Sequence, residues 1–179
     1  MDTDKKQAGK NYIQEAYGAL FDNDFARAVR ALEKAVQCEP ANSSYYFKLS
    51  VTYARSHQLE QAVKAIKQAI ALEPENERFR LQHSRLLSHK LVDQASYLLK
   101  SGGSLLQALP LLEQAVSLDP LNVLAHYFAG EIYYHEEEFI KARRSARLAL
   151  HLQPQFQEAK NLLERCRMDI KEEKKRKRD

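Results

Sequence analysis

A chain of 179 residues with five glycines and five prolines, rich in Ala, Leu, Glu, Lys and Gln, suits one domain or one repeat stack built from helices rather than sheet. Its 28 basic and 24 acidic residues give a net charge of +4, but Lys171–Asp179 alone holds six basic and three acidic groups, so the body is close to neutral and carries no charge signature of nucleic-acid binding. No apolar stretch follows the polar run Met1–Lys10 and no window of about 18 apolar residues occurs, so neither a signal peptide nor a membrane span is expected.

Residues 1–8 read as a disordered N-terminus. Helical apolar spacing then gives paired helices near 9–21 and 25–38, and again near 43–56 and 59–72. A third pair, near 77–100 and 105–118, is longer, with twelve extra residues between Arg80 and Ala108. Leu86, Leu87, Leu91, Val92, Ala95, Leu98 and Leu99 keep helical spacing through the addition, until Lys100-Ser101-Gly102-Gly103-Ser104 breaks it. The extension reads as a tolerated insertion or as a projecting helical arm that widens a partner surface. Pro110 should make the following helix start late or bend at its first turn. A fourth pair near 123–136 and 139–152 precedes a last helix near 156–172. That helix has Ala159, Leu162, Leu163 and Cys166 on one side and charges on the other, as a cap on a repeat stack requires.

The period is marked by Pro40, Pro74, Pro120 and Pro154, spaced 34, 46 and 34 residues apart, each closing a helical run as CEP, LEP, LDP or LQP. The clearest unit carries Tyr46, Leu49, Ser50 and Tyr53, then Ala62, Ile66, Ala69 and Pro74. The others repeat it as Tyr12, Ala16, Ala28, Leu32, Ala35 and Pro40; as Ala108, Leu112, Ala115 and Pro120; and as Ala129, Gly130, Tyr133, Ala142, Ala146, Ala149 and Pro154. Glu15 stands where leucine is usual, and Arg80, His83, Ser84 and Leu87 match only partly. Small residues three and four apart on one face let a neighbouring helix approach closely, and proline past the last turn fixes the stop. This pattern resembles the tetratricopeptide repeat (TPR), whose unit is about 34 residues long. The resemblance covers about Gly9 to Arg167 and implies an all-α, right-handed α-solenoid of antiparallel helix pairs. It divides a single domain over 9–170 into repeats at about 9–42, 43–76, 77–122 and 123–156, with a capping helix over 157–170 and a basic tail over 171–179.

Chemistry-bearing patterns are sparse. No phosphate-cradling glycine loop occurs. His135-Glu136-Glu137-Glu138 begins like a zinc-protease motif, but Phe139 stands where the second histidine belongs, and the segment reads as a solvated turn. His83 and His89, six apart, do not share a helix face at ligand spacing. Cys38 and Cys166 lie far apart without CxxC spacing and read as reduced thiols, so no disulfide framework, metal site or cofactor is expected, and no catalytic residue is assigned.

The resemblance implies a protein-interaction adaptor or scaffold with a partner lying along the first helix of each pair, and the reduced thiols suit a cytoplasmic setting. Helix phase puts Ile13, Tyr17 and Phe21 there from the first repeat, Phe47, Lys48, Val51 and Arg55 from the second, and Arg78, Leu81, Gln82 and Arg85 from the third. Leu124, Tyr127, Phe128, Glu131 and Tyr134 follow from the fourth, with Asn161 and Arg165 from the last helix. Tyr17, Phe47, Lys48, Arg55, Arg78, Arg85, Tyr127, Glu131, Tyr134 and Arg165 are the candidate contacts, while Phe21, Leu124 and Phe128 read rather as packing between helices. Aromatics interleaved with cations favour a peptide or helix with apolar anchors and acidic character. The carboxylate clamp of chaperone-binding TPR domains is poorly matched, since Ile13, Tyr17, Lys48, Arg78 and Gln82 occupy its places. A secretion-type or co-chaperone TPR protein is a looser alternative. The tail cations Lys174, Lys175, Arg176, Lys177 and Arg178 offer another: a nuclear-import signal, or a contact to phosphate backbone or anionic lipid, in which case the chain would be a nucleic-acid-associated scaffold. Oligomeric state is left open.

Overall fold

The structure, a computed structural model, describes residues 2–176. Among them are nine α-helices and no strand: α1 (Asp2–Phe21), α2 (Phe25–Cys38), α3 (Ser43–Arg55), α4 (Leu59–Leu72), α5 (Glu77–Lys100), α6 (Leu105–Leu118), α7 (Val123–His135), α8 (Phe139–Leu152) and α9 (Gln157–Arg176). None is long and apolar enough to cross a membrane.

Two turns alternate along the chain. Within pairs, Asn23, His57 and Glu137 take φ of 58–59°, and Gly102 takes 73°. The next residue's N–H then reaches back across the turn: Asp24 to Ala19 O, Gln58 to Tyr53 O, Glu138 to Tyr133 O and Gly103 to Leu98 O, all at 2.8–2.9 Å. This left-handed cap satisfies carbonyls that the helix end would leave orphaned. Between pairs, Glu39, Glu73, Asp119 and Gln153 donate back to Ala35, Ala69, Ala115 and Ala149, and the proline that follows cannot continue the helix. The proline period is therefore a period of helix stops.

Contacts divide the chain into two compact units, Met1–Leu86 and Leu87–Asp179, where the sequence reads as a single domain over 9–170. In the first unit, α1 packs on α2, α2 on α3, and α3 on α4. Leu32 and Ile66 are fully buried, and Ala28, Ala35, Ala62 and Ala69 have no exposed surface, so backbones approach over alanine while the larger side chains fill the gaps. Burying each leucine or isoleucine contributes about 1.5–3 kcal/mol. Phe79 and Leu86, from the start of α5, join this core.

The N-terminus departs from expectation, because residues 2–8 are helical rather than disordered. Lys5, Lys6, Gln7 and Ala8 are strong helix formers, and Gly9 is buried where Glu39, Cys38 and Tyr45 crowd it, so α1 meets the body at Gly9 while residues 3–7 stay exposed.

In the second unit, α6 packs on α7, α7 on α8, and α9 on both α7 and α8. Val92 and Ala95, from the extension of α5, are 2% and 0% exposed and pack with Ala108, Leu112, Ala115, Ala125, Ala129 and Ile132. The extension is thus core and does not project as an arm, because its helical apolar spacing faces α6 and α7. Ser88 Oγ, also on α5, donates to Ala115 O at 2.8 Å and accepts from Asn122 Nδ2 at 2.9 Å, which pins the inter-pair turn. Pro110 does not delay α6, which starts at Leu105. The hydrogen bond it forfeits would go to the carbonyl of Leu106, a residue 75% exposed, where water can replace it. Against the far side of α7 and α8, Leu162 and Cys166 of α9 are fully buried with Ala142 and Ala146. Gly130 makes room for them: a Cβ there would stand 2.9 Å from Leu162 and 3.2 Å from Ser145.

Candidate functional site

In the first unit the structure gathers Phe47 and Lys48 of α3 with Arg78 of α5. Phe47 stacks on the buried Phe79, centroids 5.3 Å apart at 27°, and the Arg78 guanidinium lies 5.3 Å from the Phe47 ring centre. Lys48 Nζ donates to Ser44 Oγ at 2.6 Å. Burial, and then Arg78, hold the Lys48 ammonium below its usual pKa. No carboxylate pairs with Lys48 or Arg78 among the described residues, so two neighbouring cations, one of them over the Phe47 ring, stand without a counter-charge. Tyr17, 53% exposed on α1, and the exposed Arg55 and Arg85 are not joined to the cluster by any hydrogen bond or ion pair. Phe21, read as packing, is 88% exposed, because it is the last residue of α1 and α2 turns away beneath it.

In the second unit Tyr127, Glu131, Tyr134 and Arg165 also converge, between α7 and α9, but they satisfy one another. Arg165 is paired with Glu131, which raises the guanidinium's pKa, and lies 4.5 Å over the Tyr134 ring. Tyr134 Oη donates to Asp169 Oδ2 at 2.6 Å. Tyr127 packs edge-on against Phe156, centroids 5.0 Å apart, and touches Phe128. Burial and the neighbouring Glu131 push its phenol up to about 12. Leu124, read as packing, is 42% exposed.

Of the tail cations, Lys174, Lys175 and Arg176 lie on the last turns of α9, with Arg176 3.9 Å from Glu172. Lys177 and Arg178 lie outside the described residues. Cys38 and Cys166 are free thiols, and no group of three or more His, Cys, Asp or Glu among the described residues could hold a metal ion.

A surface not singled out from sequence is the outer stripe of α8, where Ile140, Arg143, Arg144, Arg147, Leu148 and His151 line a depression of about 560 Å³. Its sequence signal is plain in hindsight, since α8 contains no acidic residue.

These elements define a class of protein: an all-helical repeat protein, among the described residues, that carries uncompensated side-chain clusters on its surface. Tetratricopeptide-repeat models match residues 31–64 and 92–164, which together span more than half of the chain. The chain belongs to the tetratricopeptide-repeat family. Among solved structures it is similar to MamA 41-end from Desulfovibrio magneticus RS-1, at 18% identity over 96% of each chain with a TM-score of 0.51. It is also similar to YrrB, described as a TPR protein with an unusual peptide-binding site, at 21% identity over 86% of this chain and 73% of that one, TM-score 0.48. A further MamA structure aligns at 19% identity over 92% and 89% of the two chains, TM-score 0.49. The first of these likenesses speaks to the fold alone. No curated protein matches the sequence.

Proposed function

We propose that the protein is a non-enzymatic interaction scaffold, and that the Phe47–Lys48–Arg78 cluster receives a partner segment bearing an apolar anchor beside carboxylates. The observation that carries this reading is Lys48 held half-buried next to Arg78 with no acid among the described residues paired to either. Like charges kept together at a desolvating cost are an arrangement that an anionic ligand relieves. The Phe47–Phe79 stack supplies rigid apolar area at the same place, and Tyr17, Arg55 and Arg85 extend the exposed surface of this unit. Tyr127, Glu131, Tyr134 and Arg165, though of similar residue types, hold α9 to α7 in this reading and contribute to partner binding only by keeping the second unit rigid.

The test is fluorescence anisotropy with labelled synthetic peptides that place Phe or Leu among Asp and Glu, against controls in which the acids are lysines. Acidic peptides should bind, lysine peptides should not, and Lys48→Glu combined with Arg78→Glu should weaken binding about tenfold or more while the thermal transition is retained. Binding that ignores the charge of the peptide, or that survives the double substitution, would sink the assignment.

A further inference from the structure

We propose that the outer face of α8 is a second docking surface, which takes an acidic amphipathic helix of a partner protein. Residues 140, 143, 144, 147, 148 and 151 fall at the spacing of one helical stripe, opposite the buried stripe of Ala142, Ala146 and Ala149. The order along that stripe is apolar, three arginines, apolar, histidine. Ile140 is 68% and Leu148 41% exposed. Lys141 is held by Glu138 at 3.0 Å, but Arg143, Arg144 and Arg147 have no acid within pairing distance among the described residues, and α8 itself supplies none. The surface is also larger than one stripe. A second depression of about 380 Å³, reaching across to Glu113 and His126, shares Lys141, Arg144 and Leu148 with the first.

Charge and spacing together select the occupant. Arginines one turn apart, flanked by apolar side chains, complement a helix that carries carboxylates at the same pitch with leucine-like anchors beside them. A nucleic acid is a poorer fit: the stripe itself presents no aromatic ring, and Tyr133 in the second depression already has Lys141 Nζ 5.6 Å from its ring centre and its hydroxyl on Glu113. A lipid surface is poorer too: the helix has already spent its alanine face on the core, leaving two apolar side chains to insert.

The probe is a fluorescein-labelled synthetic helix with Glu and Leu at i, i+3, i+4 and i+7 spacing, titrated with the full chain at low and physiological salt. Wild type should bind it. Arg144→Glu with Arg147→Glu should weaken binding about tenfold or more, and Ile140→Ser with Leu148→Ser should also weaken it. Because the probe also carries the apolar and acidic groups that suit the α3–α5 cluster, the titrations are run in a Lys48→Glu, Arg78→Glu background, where the α8-dependent binding should remain and so separates the two surfaces. The altered side chains are exposed, so circular dichroism should be unchanged; were the Glu variant to unfold, Arg144→Gln with Arg147→Gln decides. The proposal is overturned if the helix does not bind or if the α8 substitutions have no effect. Equal binding by a polyglutamate peptide without leucine would also overturn it, as would tighter α8-dependent binding of duplex DNA or phosphatidylserine vesicles.

Discussion

The α3–α5 cluster of the first unit and the α7–α9 cluster of the second each set an arginine over an aromatic ring, yet they differ in electrostatic character. In the first, Arg78 rests on Phe47 and crowds Lys48 with no acid paired to either among the described residues. In the second, Arg165 rests on Tyr134 but is neutralised by Glu131, while Asp169 takes the Tyr134 hydroxyl. Residue type alone therefore does not separate a surface that awaits a partner from one that has found its partner within the chain. Whether the charges are compensated does.

Three measurements would break or sharpen this contrast. The largest effect belongs to the support under the first cluster: Phe79→Ala, at a residue 5% exposed, should cost about 3–5 kcal/mol in chemical denaturation. Peptide affinity should fall as well, since Phe47 loses its stacking partner, and a loss below 1 kcal/mol would mean the platform is not packed as described. Smaller is the effect of Arg165→Gln, about 1–2 kcal/mol of stability, with affinity for acidic peptides unchanged because that charge serves the α7–α9 contact. Smallest is Lys48→Met. Removing a half-buried cation beside Arg78 should leave stability unchanged or raise it by about 0.5 kcal/mol, while peptide binding weakens. A clear loss of stability would show that Lys48 is structural.

Alkaline pH tests the burial on which both units depend. Burial pushes Tyr45 and Tyr127 from 10.0 up to about 12. Between those values the unfolded chain has lost phenolic protons that the folded protein still binds, so stability is whole below pH 10 and falls as pH rises through about 12. Urea midpoints measured across that window should decline, and Tyr127→Phe should flatten part of the slope.

Much of the fold was legible because alanine and proline recur at fixed places. The helices from α2 to α8 fall where their apolar spacing ends, and the stops coincide with the prolines. The start of α1 is not legible because residues 2–8 carry no apolar stripe, and the first buried position, Gly9, offers no side chain to read. The α5 extension was recognised as helix, but whether Val92 and Ala95 meet solvent or core depends on α6 and α7, which local spacing does not show. Helix phase offers Phe47, Lys48 and Arg78 as candidate contacts, and the structure brings these three side chains together. Helix phase does not reveal the neutralisation of Arg165, although Glu131 and Arg165 stand 34 residues apart, one repeat period, and Tyr134 and Asp169 stand 35 apart. Residues one period apart on successive first helices are neighbours, so charges at that separation can be checked for mutual compensation before being offered to a partner.

The central claim is that the first unit's uncompensated cluster receives the partner while the second unit's network remains internal. The most direct measurement is a chemical-shift titration of the isotope-labelled full chain with an acidic, phenylalanine-anchored peptide. The account predicts shifts concentrated at Phe47, Lys48, Arg78 and Phe79. Shifts centred instead on Tyr127, Glu131, Tyr134 and Arg165, with Phe47, Lys48 and Arg78 unmoved, would contradict it.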